Sequence, residues 1–450
     1  MRWFAKLCGW CEDLFGSTLK PTDVFTPGGV PSITYVSRAQ FELEEKVRKA
    51  VDRGNSFIVL SGPTKCGKSV LYRKALGSKR HITVHGGQVE TADQFWESVA
   101  ARLNLPSSYG RSRKSTNSAR ASSRTSFGVP GFFNQAVTAE GGASYEAGET
   151  ENFNSVAVID ALDALAKRRI TLIVEDFHFL EQKVQRSILR ALKSAVFEGL
   201  KVVLLAVPQH AFDPSDVESE VEGRVHHVKI NRWSNDDLAQ ICVKGFDALG
   251  IYIPANVIDR ICEDGFGNPL LVQEICLEVC DSMPQNTPLD GAFLSKVYER
   301  IISQKGLERY DRVGNSRTVA GYPPVVELRD GGEEVTAAVL LASVARLGPL
   351  PVTSYQDIQG SFSSLSRANP PTPEMTSMIF DGIADTVSMG GAPPLEWLHA
   401  RQELALNDPF MMFYMRWVLR DKRSMQLRPS AMEAGLRVQP TRAEDTASSE

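Results

Sequence analysis

Phe57-Ile58-Val59-Leu60-Ser61-Gly62-Pro63-Thr64-Lys65-Cys66-Gly67-Lys68-Ser69-Val70 is the stretch that decides the fold of this 450-residue chain. The apolar run Phe57–Leu60 predicts a buried strand, Gly62–Ser69 fits G-x-x-x-x-G-K-[ST], and Val70–Leu76 has a helical pattern. Strand, glycine-rich turn and helix together make a phosphate-binding loop. Its glycines let the backbone wrap closely around a polyphosphate, and successive N–H groups point inward at a helix N-terminus that already favours anions. Lys68 is expected to reach the β- and γ-phosphates and Ser69 to offer its hydroxyl to Mg²⁺. Gly62, Pro63, Thr64, Lys65, Cys66, Gly67, Lys68, Ser69 and Val70 are therefore the expected cradle.

Working outward, such a loop needs acids at the end of a neighbouring strand, one for the metal and one to orient water. Leu172-Ile173-Val174-Glu175-Asp176 supplies an apolar run followed by two carboxylates, about one βαβ unit downstream of the phosphate loop. If the first acid serves the metal, Glu175 binds it and Asp176 faces the water. That order swaps the lengths usual for such a pair, so slow turnover is expected; the opposite assignment, Asp176 to Mg²⁺, stays open. Further apolar runs at His81–Val84, Val202–Val207 and His227–Ile230 alternate with helical patterns, which predicts a parallel sheet covered on both faces.

Composition fits this reading. Hydrophobic residues make up 42% and charged residues 23%, as in a soluble globular protein, and the net charge of −4 gives no overall pull toward nucleic acid. No apolar stretch approaches bilayer length. Seven scattered cysteines suit reduced thiols in a cytoplasmic protein better than a disulfide framework. Cys8-Gly9-Trp10-Cys11 lacks the second pair that zinc requires. Cys66, beside Lys65 and a helix N-terminus, raises the idea of a thiol with lowered pKa, against a default of an inert loop residue.

The expected organisation is an amphipathic N-terminal helix in 1–20, an ATPase-type core in 21–232, helices in 233–305, a further module in 306–422 and a tail in 423–450. The helix at 3–15 puts Trp3, Phe4, Leu7, Trp10 and Leu14 on one arc, suited to docking on the chain's own body or a partner. Residues 106–154 are a Ser/Gly/Arg-rich insertion whose first half, Arg111 to Arg124, is basic. Beyond Trp233 the pattern is helical, at about 235–249, 255–264, 269–282 and 291–303. Ser234 with Asp237 reads as a capping-box-like start. Residues 305–332 look like a connection, followed by helices at 335–347, near Tyr355–Ile358 and around Met375–Val387, a hairpin at 395–398 and 403–406, and a last helix at Pro409–Leu419.

Several of these elements resemble AAA-type ATPases and their STAND branch, the signal-transducing ATPases with numerous domains. Val36-Ser37-Arg38 looks like the adenine-side Gly-Arg element. Pro208-Gln209-His210 ends the strand where such proteins keep a γ-phosphate sensor. Gly223-Arg224 sits where many keep an arginine finger acting in trans, and Gly267-Asn268-Pro269 resembles the G-x-P element of the STAND lid. Replication-initiator relatives typically carry a sensor arginine near that proline. The resemblance covers about residues 33–305 and implies an α/β fold: a three-layer P-loop NTPase parallel sheet with a helical lid and a C-terminal winged-helix-like domain. It implies ATP and Mg²⁺ as cofactors, Arg38 and Pro269 as nucleotide contacts, and Gln209 and Arg224 as catalytic aids beside Lys68, Glu175 and Asp176.

The function expected is a nucleotide-controlled conformational or assembly switch that hydrolyses ATP slowly, with a homo-oligomer or a protein partner engaged through the N-terminal helix or the winged-helix-like domain. Bacterial defence or signalling is the setting the resemblance suggests. The alternative is a DNA-associated ATPase of loader or mobile-element type gripping DNA through 111–124. It is disfavoured because the candidate recognition helix, Pro373–Val387, carries Glu374, Asp381 and Asp385 and no basic residue.

Overall fold

The computed structural model describes residues 19–105, 155–207, 214, 221, 223–283, 289–310, 319–388 and 393–422. The N-terminal helix at 3–15, the 106–154 insertion, Gln209, His210 and the tail from 423 lie outside the described residues.

Five parallel strands form the central sheet: β1 (Phe57–Ser61), β2 (His81–His85), β3 (Thr171–Glu175), β4 (Val202–Ala206) and β5 (Val225–Lys229), in the order β2-β3-β4-β1-β5. The alternation of side chains along each strand assigns the two faces. Phe57, Val59, Leu172, Val174, Val202 and Leu204 point into one core. Ile58, Leu60, Ile173, Val203 and Leu205 point into the other. Helices α1 (Leu43–Arg53) and α2 (Lys68–Leu76) cover the second face, and α3 (Ala92–Arg102), α4 (Ser155–Lys167) and α5 (Gln182–Phe197) cover the first. This is the three-layer arrangement that continuous apolar strands require.

Helices α6 (Asn235–Ala248), α7 (Ala255–Asp264), α8 (Pro269–Ser282) and α9 (Gly291–Gln304) follow the sheet. Ser234 caps α6 by accepting from the Asp237 N–H at 3.1 Å. The Asp237 carboxylate does not close the box; it turns to Arg38 Nε at 3.1 Å and Gln40 Nε2 at 3.0 Å.

The C-terminal module contains β6 (Val325–Glu327), β7 (Glu333–Val335), α10 (Thr336–Arg346), β8 (Val352–Ser354), α11 (Tyr355–Leu365), α12 (Pro373–Val387), β9 (Leu395–Leu398), β10 (Glu403–Leu406) and α13 (Pro409–Tyr414). Strands β8, β10 and β9 make one antiparallel sheet, and β6 pairs with β7. Two expectations are corrected here. The short helix near Tyr355 runs on to Leu365, because packing on α10 outweighs the poor helix propensity of Gly360 and its serine neighbours; Ser361 Oγ donates to Ser343 O at 2.9 Å. The last helix is α-helical only to Tyr414, and a π-helical turn, Met415–Lys422, continues it.

One hydrophobic core joins these two helical bodies. Leu238, Ile261, Leu271 and Val297 of α6–α9 belong to the same buried cluster as Leu340, Phe362, Phe380 and Met411. Tyr298 on α9 meets Phe413 and Trp417 edge-on, with centroids 5.0 and 5.2 Å away. Val24 and Phe25, just ahead of the sheet in sequence, are fully buried in this cluster too. Phe25 lies on α6 where Gly245 leaves room: a Cβ there would stand 2.2 Å from the ring. Gly245→Ala is therefore expected to destabilise the protein by about 1–3 kcal/mol through overpacking, measured by urea unfolding. An unchanged midpoint would show that this ring is free to move.

Candidate nucleotide site

The loop between β1 and α2 opens at the carboxyl ends of the strands, where the chain order of the sheet reverses and a crevice forms. Gly62 has no substitute there. A Cβ would lie 2.9 Å from both Cys66 Sγ and Ile230 Cβ. Gly67 turns the chain into α2 at φ 97°, and Lys65, at φ 60°, holds the left-handed region without the licence of a glycine.

Lys68 is buried and folds back, donating to Gly62 O at 2.7 Å and Pro63 O at 2.8 Å. Burial pushes its pKa down, opposed by the charges of Cys66, Asp176 and Glu175. Glu175 ends β3, paired with His85 across the sheet; His85 Nδ1 lies 3.1 Å from Oε2, while the buried Oε1 has no partner. Asp176 follows in the left-handed region at φ 55°, its pKa raised by burial and then by the neighbouring Glu175 charge. Ser69 and Val70 stand in the first turn of α2 and line the same cleft.

Two carboxylates crowded together, one with an unsatisfied buried oxygen, call for a cation. The donor set of Ser69 hydroxyl and the Glu175 and Asp176 carboxylates is hard oxygen, which suits Mg²⁺. Among the described residues no cluster of three His, Cys, Asp or Glu side chains could hold a metal unaided. Mg²⁺ keeps several waters and shares phosphate oxygens, so it needs few protein ligands. The cleft measures about 1170 Å³, ample for a nucleotide.

Three consecutive loop residues are each gripped from elsewhere. Asn268 donates Nδ2 to Thr64 O at 3.1 Å, while its Oδ1 caps α8 by accepting from Leu270 and Leu271. Lys65 Nζ lies 3.0 Å from Asp408 Oδ1 and 5.0 Å from the centre of the Phe410 ring. Trp233 Nε1 donates to Cys66 O at 3.0 Å. The start of α8, the C-terminal module and the segment between β5 and α6 thus all meet the phosphate loop directly.

The remaining expected residues divide. Pro269 opens α8 at the cleft wall. Arg38 also lines the cleft, but its guanidinium is committed to Asp237, to Asn231 O at 2.9 Å and to Arg232 O at 3.0 Å, between the rings of Phe41 and Trp233. It ties down the segment between β5 and α6. Arg224 lies at the amino end of β5, the opposite end of the sheet from the loop, exposed and stacked on Phe197 at 3.8 Å. It contributes nothing to its own chain's cleft. Cys66 fits the default of an inert loop residue: it is buried, and desolvation raises its pKa, against the idea of a lowered one. Sequence reasoning missed His85, Trp233, Asn268 and Asp408. Only Asn268 carried a local signal, a cap residue followed by proline at the first helical position.

No protein-family model matches the chain, and neither does any curated protein sequence. Among solved structures, a Walker-type ATPase of Pyrococcus abyssi superposes with a TM-score of 0.50 at 14% identity, over 83% of this chain and 95% of that one. The ORC2 protein of Aeropyrum pernix matches with a TM-score of 0.45 at 10% identity, over 89% of this chain and 98% of its own. A STAND protein with a tetratricopeptide repeat sensor from Pyrococcus horikoshii matches at 0.34 and 13% identity, over 89% of this chain and 45% of its own. The chain shares its fold with that Walker-type ATPase. No helix among the described residues is long and apolar enough to cross a membrane.

Proposed function

We propose that the chain binds and slowly hydrolyses ATP with Mg²⁺ and that it acts as a STAND-like, nucleotide-controlled conformational or assembly switch in the cytoplasm. The loop N–H groups and Lys68 hold the triphosphate. Ser69 and one of Glu175 and Asp176 hold the metal, whose charge, when bound, polarises the phosphoryl oxygens. The other acid orients the attacking water, and Gln209 senses the γ-phosphate. Arg224, remote from its own cleft, is suited to act on a neighbouring copy, which makes a homo-oligomer the active form. The module at 306–422, read as winged-helix-like, reports the state to a protein partner, and bacterial defence or signalling is its natural setting.

One observation carries the switch: Lys65, inside the phosphate loop, is ion-paired with Asp408 of the C-terminal module. A lysine serves either that carboxylate or a triphosphate, and the nucleotide can shift the module only through such a difference in affinity. Asp408 also accepts from Tyr310 OH at 3.2 Å and lies 4.0 Å from Arg309, so the contact is part of a small charged network. Asp408→Asn removes the charge while an amide oxygen can still cap α13 at the Phe410 N–H. For a partly exposed pair the expected gain in ATP affinity is about three- to tenfold, with a larger radius of gyration in solution scattering. Unchanged affinity and an unchanged scattering profile would sink the switch.

A further inference from the structure

The end of the cleft away from the carboxylates is formed by the segment around Thr26–Arg38 and the first turns of α8. Gln273 lies there, on the same face of α8 as Pro269 and one turn further on, and is 5% exposed. Chemistry fixes the orientation of its amide. The Thr26 backbone N–H, which can only donate, meets Oε1 at 2.7 Å, and the Thr34 hydroxyl lies 3.4 Å from the same oxygen. The other end of the amide is therefore Nε2, with two N–H donors. No described protein group accepts from it, and it is not sealed from the cleft it faces. An amide this enclosed, whose nitrogen faces the cleft, is placed to donate to an acceptor bound there.

Resting on the reading of this cleft as an ATP site, we infer that Gln273 is its base-reading residue: Nε2 donates to a ring nitrogen of the adenine. With the triphosphate on the Gly62–Ser69 loop and the metal at the carboxylates, the base would extend toward the end of the cleft away from them, where this donor waits. The lid then contributes to nucleotide selection directly, and the tie between Thr26 and Gln273 Oε1 serves to aim the amide.

Gln273→Glu separates aiming from reading. A glutamate oxygen still accepts from the Thr26 N–H, while the donor at Nε2 becomes an acceptor facing an acceptor. Calorimetric titration of wild type and Gln273→Glu should use ATP, its 1-, 3- and 7-deaza analogues, and inorganic tripolyphosphate. The expected result is at least a tenfold loss of ATP affinity in the variant and tripolyphosphate affinity unchanged within twofold. One deaza analogue should bind the wild type about tenfold more weakly than ATP, and that penalty should vanish in the variant. Equal ATP affinity, a loss shared by tripolyphosphate, or no deaza penalty would overturn the assignment and leave Gln273 a structural tie. Wild type that binds neither ATP nor tripolyphosphate would instead remove the ATP site itself.

Discussion

Lys68→Ala is expected to abolish ATP binding while leaving the nucleotide-free protein about as stable as the wild type. The lysine is nine-tenths enclosed and is satisfied by two loop carbonyls, and burial lowers its pKa. A lysine whose folded pKa is depressed costs stability wherever it is charged. That cost is fully present below the folded pKa and disappears as pH rises toward the ordinary lysine value. Alanine removes the cost at neutral pH and forfeits the two hydrogen bonds, so the terms oppose. Nucleotide binding has no such offset, because the cation aimed at the phosphates is gone. Thermal melts should show it plainly. ATP at a hundred times its dissociation constant stabilises wild type by about 2.7 kcal/mol, and the variant should gain nothing. A variant that unfolds tens of degrees early, or that keeps the ATP shift, would contradict this assignment.

Asp176→Asn should lower ATP hydrolysis by about 10²- to 10³-fold and, without nucleotide, stabilise the protein. Burial and the adjacent Glu175 raise the Asp176 pKa, so the ionised carboxylate opposes folding. Its cost is fully present above the folded pKa and fades as pH falls toward the ordinary carboxylate value. The uncharged amide escapes it at neutral pH, so the urea midpoint of the variant should rise, and its advantage over wild type should shrink on acidification. On the proposed function such a cost persists because the crowded pair is poised for a divalent cation. Unaltered turnover would move the chemistry to Glu175 alone.

Much of this was legible in the sequence, for local reasons. The phosphate loop, the acid pair and the five strands are continuous in the chain, and their chemistry shows within eight residues. Helices α6–α9 were legible because their period is clear, with a cap at Ser234 agreeing for α6. Strands β6, β7 and β8 escaped because three residues are too few for an alternation to register. The contacts that tie the site together escaped for another reason. Lys65 and Asp408 are 343 positions apart, and Trp233 and Cys66 are 167 apart. No local pattern announces such pairs. Arg38 shows the same limit, since its residue type pointed to the nucleotide while Asp237, far along the chain, claimed its guanidinium.

Val24 and Phe25 sit in the interior of the helical body although the sheet follows them in the chain. The described chain thus joins the helical body before it joins the sheet, which it reaches at Leu43. A pull applied at Pro21 would be felt first by α6, on which Phe25 lies, rather than by the strands.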